Sequence, residues 1–99
     1  MENRKALPIT LEDVEFIVKD QFEMIIDLAK YNSFCMGCMG KNEPEMLDLK
    51  VVLNEMDDLI FQGKCRYCNG KMKRYIELGE SKEYHMRTQL IRESKQNKN

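Results

Sequence analysis

Residues 35–41 read Cys-Met-Gly-Cys-Met-Gly-Lys, and residues 65–71 repeat the pattern as Cys-Arg-Tyr-Cys-Asn-Gly-Lys. These two Cys-x-x-Cys pairs hold all four cysteines of the 99-residue chain. Four thiolates in two tight pairs are the ligand set of a tetrahedral structural zinc ion. The spacing therefore predicts one structural Zn²⁺ per chain, with four ligands: Cys35, Cys38, Cys65 and Cys68.

The repeated Cys-x-x-Cys-x-Gly pattern is similar to the zinc-binding repeats in the cysteine-rich domain of DnaJ-type chaperones, and to zinc knuckles generally. The resemblance covers only residues 35–41 and 65–71. The chaperone pattern has four repeats, and it has a second glycine where this chain has Lys41 and Lys71. The resemblance thus implies zinc ligation by the four cysteines and no chaperone activity.

Two other uses of the thiols stay open. A rubredoxin-like iron site takes the same four ligands, although that family tends to place glycine directly after the second cysteine, where this chain has Met39 and Asn69. Redox-active thiols favour a thioredoxin-like βαβ setting, which this sequence does not suggest. Ligand softness and motif context favour zinc over both.

Apolar residues at helical spacing predict two helices around the first cysteine pair. The first spans residues 10–31 and begins with a capping box between Thr10 and Asp13. The second spans residues 45–61, where apolar side chains recur every three or four positions. Gly63 is a natural stop for it, since glycine readily takes the left-handed conformation of a helix end.

The remaining segments predict little further structure. Residues 71–78 alternate as a short strand, and Ser81 can cap a third helix that runs to about residue 92. Residues 1–9 are predicted to be a flexible arm, and residues 93–99 a frayed tail. The predicted fold is mainly α with a short β element, in which two or three helices flank the four-cysteine site of a single zinc-stabilised domain, 1–99.

One metal ion shared by both pairs constrains this fold. Cys38 and Cys65 stand at opposite ends of the second predicted helix, yet both must reach the same ion. We therefore expect an extended segment over residues 39–44 and both helix C-termini near the metal. The alternative is a metal site shared between two chains.

Composition indicates a cytoplasmic protein without a membrane span. No apolar run approaches the length that a bilayer requires, and the N-terminus does not read as a signal peptide. Paired cysteines without an export signal indicate reduced thiols. The net charge of −1 hides a split: residues 1–61 hold 6 Lys and Arg against 13 Asp and Glu, whereas residues 62–99 hold 10 against 4.

The predicted function is binding rather than catalysis. Four sulfur ligands leave zinc no open position for a substrate, so we expect neither an enzyme nor a small-molecule substrate. His85, the single histidine, is expected to serve packing or the surface. Adaptable methionines in or near the cysteine pairs, Met36, Met39 and Met72, predict a protein partner or a homodimer. The sequence thus predicts an accessory or regulatory protein that acts through protein–protein interaction.

Nucleic-acid binding is the alternative. The segment 64–75 carries five positive charges, no negative charge and two tyrosines. Lysine and arginine bind phosphates, and tyrosine stacks on unpaired bases. The candidate residues are Lys64, Arg66, Tyr67, Lys71, Lys73, Arg74 and Tyr75.

Overall fold

The structure is a computed structural model that describes residues 6–38, 44–79 and 81–96. The elements are β1 (Leu7–Ile9), α1 (Leu11–Val18), α2 (Phe22–Tyr31), β2 (Met46–Leu53), β3 (Leu59–Cys65), β4 (Lys71–Ile76) and α3 (Lys82–Gln96). The strands form one antiparallel sheet in the order β1-β2-β3-β4. The predicted mainly α fold is therefore wrong, and the chain has an α+β fold.

The helix predicted over residues 10–31 is present but interrupted. A short 3₁₀ turn, Lys19–Gln21, separates α1 from α2. The predicted capping box is confirmed: Asp13 N donates to Thr10 Oγ1 at 3.0 Å, and Thr10 N donates to Asp13 Oδ2 at 2.9 Å. These reciprocal bonds satisfy two backbone donors at the start of α1.

The helix predicted over residues 45–61 is wrong, because this segment forms the β2–β3 hairpin. A bulge interrupts β2 between Leu47 and Lys50, and Asp48 takes a φ of 57°. The extra residue shifts the alternation of buried side chains, so Met46 and Val51 both face the core despite their odd separation. That shift leaves the apolar residues at spacings that imitate a helix.

The predicted helix stop also has a different role. Gly63 lies inside β3, opposite the bulge, where a Cβ atom would sit 2.3 Å from the carbonyl oxygen of Leu47. Glycine is needed here because the two backbones approach too closely for any side chain. The second helix C-terminus expected near the metal is therefore the end of a strand.

An Asn-centred turn joins β2 to β3. The side-chain oxygen of Asn54 accepts hydrogen bonds from the backbone N–H groups of Met56 at 2.9 Å and Asp58 at 2.8 Å. Asp57 takes a φ of 64°, which Asp tolerates better than most residues. This local chemistry turns the chain and ends β2 after Leu53.

The other elements differ from prediction mainly at their ends. The strand expected over residues 71–78 is confirmed as β4, which ends at Ile76. Ser81 accepts a hydrogen bond from Tyr84 N at 3.2 Å, and α3 continues past residue 92 to Gln96. Residues 7–9, expected in an arm, pair with β2 as β1. Residues 1–5, 39–43, 80 and 97–99 lie outside the described residues.

The helices α1 and α2 pack on one face of the sheet. Buried side chains of the helices, such as Ile17 and Ile25, form one core with Leu53, Phe61 and Met72 from the strands. None of the helices in the described part of the chain combines the length and hydrophobicity needed to cross a bilayer.

Candidate metal centre

Two short turns present the cysteines, and we call residues 35–38 the first knuckle and residues 65–70 the second knuckle. The first follows α2, where the buried hydroxyl of Ser33 donates to the carbonyl of Ala29 at 2.7 Å. The second connects β3 to β4: Cys65 N donates to Gly70 O at 2.8 Å, and Asn69 N donates to Cys65 O at 2.9 Å. The second pair is thus held inside a hydrogen-bonded hairpin, and the first lies in the loop that follows α2.

The fold brings all four cysteines of one chain together. Their Sγ atoms lie within 4.8 Å of one another, with Cys35 and Cys68 at 3.4 Å and Cys38 and Cys65 at 3.5 Å. Zinc–sulfur bonds of about 2.3 Å in a tetrahedron place the sulfurs about 3.8 Å apart. The predicted cluster is therefore confirmed as a set able to hold one metal ion, and a second chain is not needed to complete it.

Backbone N–H groups point at the sulfurs of the second knuckle. Tyr67 N lies 3.4 Å from Cys65 Sγ, and Gly70 N lies 3.4 Å from Cys68 Sγ. A backbone hydrogen bond from Cys68 and a further one from Tyr67 outweigh the opposing effect of burial and lower the pKa of Cys65 to about 6. A thiolate at neutral pH is the form that binds metal.

The centre opens to solvent on one side. Cys35, Cys38 and Cys65 are buried, whereas Cys68 is exposed. Gly37 of the first knuckle lies against Cys68, and a Cβ atom at Gly37 would sit 2.6 Å from Cys68 Sγ. The absence of a side chain at this position allows the two knuckles to approach each other.

In the second knuckle, Asn69 takes a positive φ of 63°, whereas the φ of Gly70 is not positive. A Cβ atom at Gly70 would instead lie 3.3 Å from Cys68 Sγ, so glycine serves the close approach to sulfur. The equivalent positions after Cys38, Met39 and Gly40, lie outside the described residues.

The candidate nucleic-acid residues do not share one surface. Residues paired across antiparallel strands have their side chains on the same face, and Lys64 pairs with Lys71. The next pair, two residues further along both strands, is Gln62 with Lys73, and the pair after it is Ile60 with Tyr75. Alternate residues of a strand share a face, so all three pairs lie on one face of the sheet. Four of the seven candidates therefore lie on the sheet face that points away from the core: Lys64, Lys71, Lys73 and Tyr75.

The other three candidates lie elsewhere. Arg74 points to the helix side of the sheet and donates to the carbonyl oxygen of Asn32 at 2.7 Å, just after α2. Arg66 forms an ion pair with Glu45 at 2.8 Å, which ties the second knuckle to the start of β2. Tyr67 is an exposed residue of the second knuckle.

Sequence reasoning missed two residues of the same outer face. Lys50 of β2 pairs with Gln62 of β3, and Gln62 pairs with Lys73 of β4. Alternation within β2 would have indicated Lys50 only if the bulge had been recognised. We define the outer face by its six exposed polar and aromatic residues: Lys50, Gln62, Lys64, Lys71, Lys73 and Tyr75.

The candidate methionines also separate. Met36 is 74% exposed, whereas Met72 is 3% exposed and packs in the core, so Met72 does not belong to a docking surface. Met39 lies outside the described residues. Two exposed aromatic residues that were not predicted as partner-binding lie beside the cysteines instead: Phe34 precedes Cys35, and Tyr67 lies between Cys65 and Cys68. Their direct adjacency to cysteines was the available signal.

His85 is 3.3 Å from a carboxylate oxygen of Asp57. Asp57 is buried and also forms an ion pair with Arg92 at 2.8 Å. His85 therefore belongs to the contact between α3 and the β2–β3 turn.

The chain matches no protein-family model, no curated protein and no solved structure. No specific family, DnaJ-type or other, is therefore assigned. What the structure supports is a small protein with a four-cysteine, metal-binding cluster.

Proposed function

We propose that this chain is a zinc-binding accessory protein in which one structural Zn²⁺ joins the first knuckle to the second. The observation that carries the proposal is the convergence of four Sγ atoms within 4.8 Å in a single chain. Bound zinc would tie the loop after α2 to the β3–β4 hairpin. Because four sulfurs complete the tetrahedron, no position is left for a reacting water, and the metal serves stability.

Metal analysis combined with native mass spectrometry tests this proposal. We expect one zinc ion on a chain of 11.8 kDa, and retention of that stoichiometry after exposure to excess iron. Substitution by Co²⁺ should give the intense sulfur-to-metal absorption and tetrahedral spectrum of four thiolate ligands. Iron in the protein as isolated, or a stable disulfide in place of metal, would contradict the zinc assignment.

We propose further that the zinc-fixed knuckles present a docking surface for another protein. The supporting feature is the exposure of three flexible or aromatic side chains beside the cysteines: Phe34 at 64%, Met36 at 74% and Tyr67 at 55%. Aromatic residues and methionine are enriched where proteins bind one another. The metal would hold these side chains in a fixed arrangement and so reduce the ordering cost of binding.

A pair of double variants tests the docking surface. Phe34→Ser with Met36→Ser should abolish a specific complex formed in the source cells, detected by cross-linking and mass spectrometry. The control replaces Met56 and Met86, which are 77% and 58% exposed on other parts of the chain, by Ser. Equal effects of the two double variants would contradict the proposal. If the native protein forms a homodimer that only the Phe34 and Met36 variant loses, the partner is a second copy of this chain.

Nucleic-acid binding is the second candidate function. The observation that favours it is the outer face, on which four exposed lysines lie on three neighbouring strands.

A further inference from the structure

The outer face consists of three rows that run across the strands. The row nearest the knuckles holds the pair Lys64 and Lys71, and the next row holds Lys50, Gln62 and Lys73. The third row ends at Tyr75 on β4. Successive rows are about 7 Å apart, since each strand residue rises about 3.3 Å and alternate residues share a face.

The lysines of this face lack an acidic partner in the part of the chain that the structure describes. Among the described residues, no carboxylate forms an ion pair with Lys50, Lys64, Lys71 or Lys73. Lys64 and Lys71 stand directly opposite each other, an arrangement that destabilises a sheet. A bound anion would remove this repulsion.

The nearby charges leave the face positive. Asp48 lies in the bulge at its edge and lines the same shallow cleft as all four lysines. Among the residues that line this cleft, one carboxylate faces four ammonium groups, so the lining remains positive. The cations of the segment that are bound elsewhere, Arg66 and Arg74, do not contribute to this face.

An aromatic ring completes the pattern. Tyr75 is 58% exposed and lies one row beyond Lys73 on the same face. Lysines that hold phosphates beside an exposed ring that stacks on a base are the combination by which proteins bind single strands. An acidic peptide would use the lysines and leave the ring without a matching group.

We propose that the outer face binds a single-stranded nucleic acid, with its phosphates along the lysine rows and an unpaired base on Tyr75. This inference deepens the second candidate function. It also rests on the proposed zinc site, because the metal would fix the ends of β3 and β4 that carry Lys64 and Lys71. The proposed site differs from the basic segment of the sequence, because it includes Lys50 and Gln62 and omits Arg66 and Arg74.

Binding of labelled oligouridylate and oligothymidylate to the zinc-loaded protein tests the inference across a salt series. Replacing both Lys71 and Lys73 by Gln should weaken binding at least tenfold and reduce the slope of log affinity against log salt by about 1.4, or about 0.7 per lost contact. The matched control replaces Lys30 of α2 and Lys82 of α3 by Gln, which removes the same charge from residues that do not line the lysine cleft. Tyr75→Leu should weaken binding about tenfold.

Several outcomes overturn the inference. The first is that the oligonucleotides do not bind even at low salt. The second is that the control variant loses as much affinity as the Lys71 and Lys73 variant. The third is that polyglutamate or anionic vesicles bind with the same affinity as the oligonucleotides. Because strand variants can fail to fold, lysine acetylation of the native protein provides a second measurement. Bound oligonucleotide should protect Lys64, Lys71 and Lys73 and leave Lys30 and Lys82 reactive, and uniform protection contradicts the site. A folded, zinc-loaded protein that fails these tests refutes the inference without affecting the metal proposal.

Discussion

Gly37 shows how a single missing side chain can determine the approach of two loops. Gly37 belongs to the first knuckle, but the atom that leaves no room for a side chain there belongs to the second knuckle. A Cβ atom at Gly37 would lie 2.6 Å from Cys68 Sγ. The Cys-x-x-Cys motif predicts the ligands from sequence because their spacing is local. It does not predict the requirement for glycine, because that requirement comes from a contact between knuckles that are distant in the chain.

Gly37→Ala should weaken zinc binding by about tenfold or more, since misplacing groups next to metal ligands has effects of this size. Competition with a chromophoric chelator measures the affinity. Gly79→Ala is the matched control: Gly79 has a φ of 73° and no heavy atom near a Cβ, so this change should cost about 1 kcal/mol of folding stability. It should leave zinc affinity unchanged, and equal zinc affinities for native protein and Gly37→Ala would contradict the close contact.

The contact between α3 and the β2–β3 turn depends on a buried ion pair. Asp57 and Arg92 have side chains only 6% and 5% exposed, and their charged atoms are 2.8 Å apart. Replacing one member of a buried pair leaves the other charge without compensation. Asp57 also holds a positive φ, so a test of its charge must use a residue that tolerates that conformation.

Asp57→Asn should lower the free energy of unfolding by about 3 kcal/mol, because it removes the charge while keeping size and tolerance of the left-handed backbone. Urea unfolding monitored by circular dichroism measures the change. Glu55→Gln, an exposed change in the same turn, should stay within about 0.5 kcal/mol of the native protein. Similar values for the two variants would show that the ion pair is not a significant source of stability.

The start of α1 gives a prediction about pH. Burial raises the pKa of Asp13, but hydrogen bonds from Thr10 and Lys95 outweigh it, and the pKa lies below the ordinary value of 3.8. The stability that the carboxylate contributes is therefore complete well above pH 3.8 and is lost as the pH falls through the folded-state value. Lys95 Nζ lies 3.0 Å from the carboxylate and links α3 to this cap.

Asp13→Asn should destabilise the protein by about 1 kcal/mol at neutral pH, the usual size of a capping contribution. The difference from the native protein should shrink as the pH is lowered below 3.8, since the native carboxyl group then becomes neutral too. Thermal unfolding of both proteins over an acidic pH series measures this. A difference that stays constant with pH would exclude the charge of Asp13 as its source.

The elements that were predicted correctly are those with local signals. Thr10 with Asp13 and Ser81 are helix starts recognised over a few residues, and both were identified. The β2–β3 hairpin was missed because the bulge at Asp48 disrupts the period-two pattern on which strand prediction depends. The sequence also could not show on which face of the sheet Lys50 and Arg74 lie, because the face depends on how β2 and β4 pair with β3.

In the whole molecule, two features join the helices α1 and α2 to the sheet. The hydrophobic core joins α1 and α2 to the sheet, and the four cysteines join the end of α2 to the β3–β4 hairpin. The core is held by apolar contacts that need no metal, whereas the two knuckles meet through their sulfur atoms. Structural zinc sites typically contribute about 10–16 kcal/mol of apparent binding free energy, which exceeds the stability of most small proteins.

Removal of the metal is the most direct test of the proposal that zinc joins the two knuckles. Dialysis against a chelator, followed by NMR and thermal unfolding of zinc-loaded and metal-free protein, measures the consequence. We predict one zinc ion per chain. Removing it should lower the midpoint of thermal unfolding by more than about 10 °C and abolish the ordered NMR signals of residues 33–38 and 65–70. A metal-free protein with the same midpoint and the same knuckle signals would contradict the proposal.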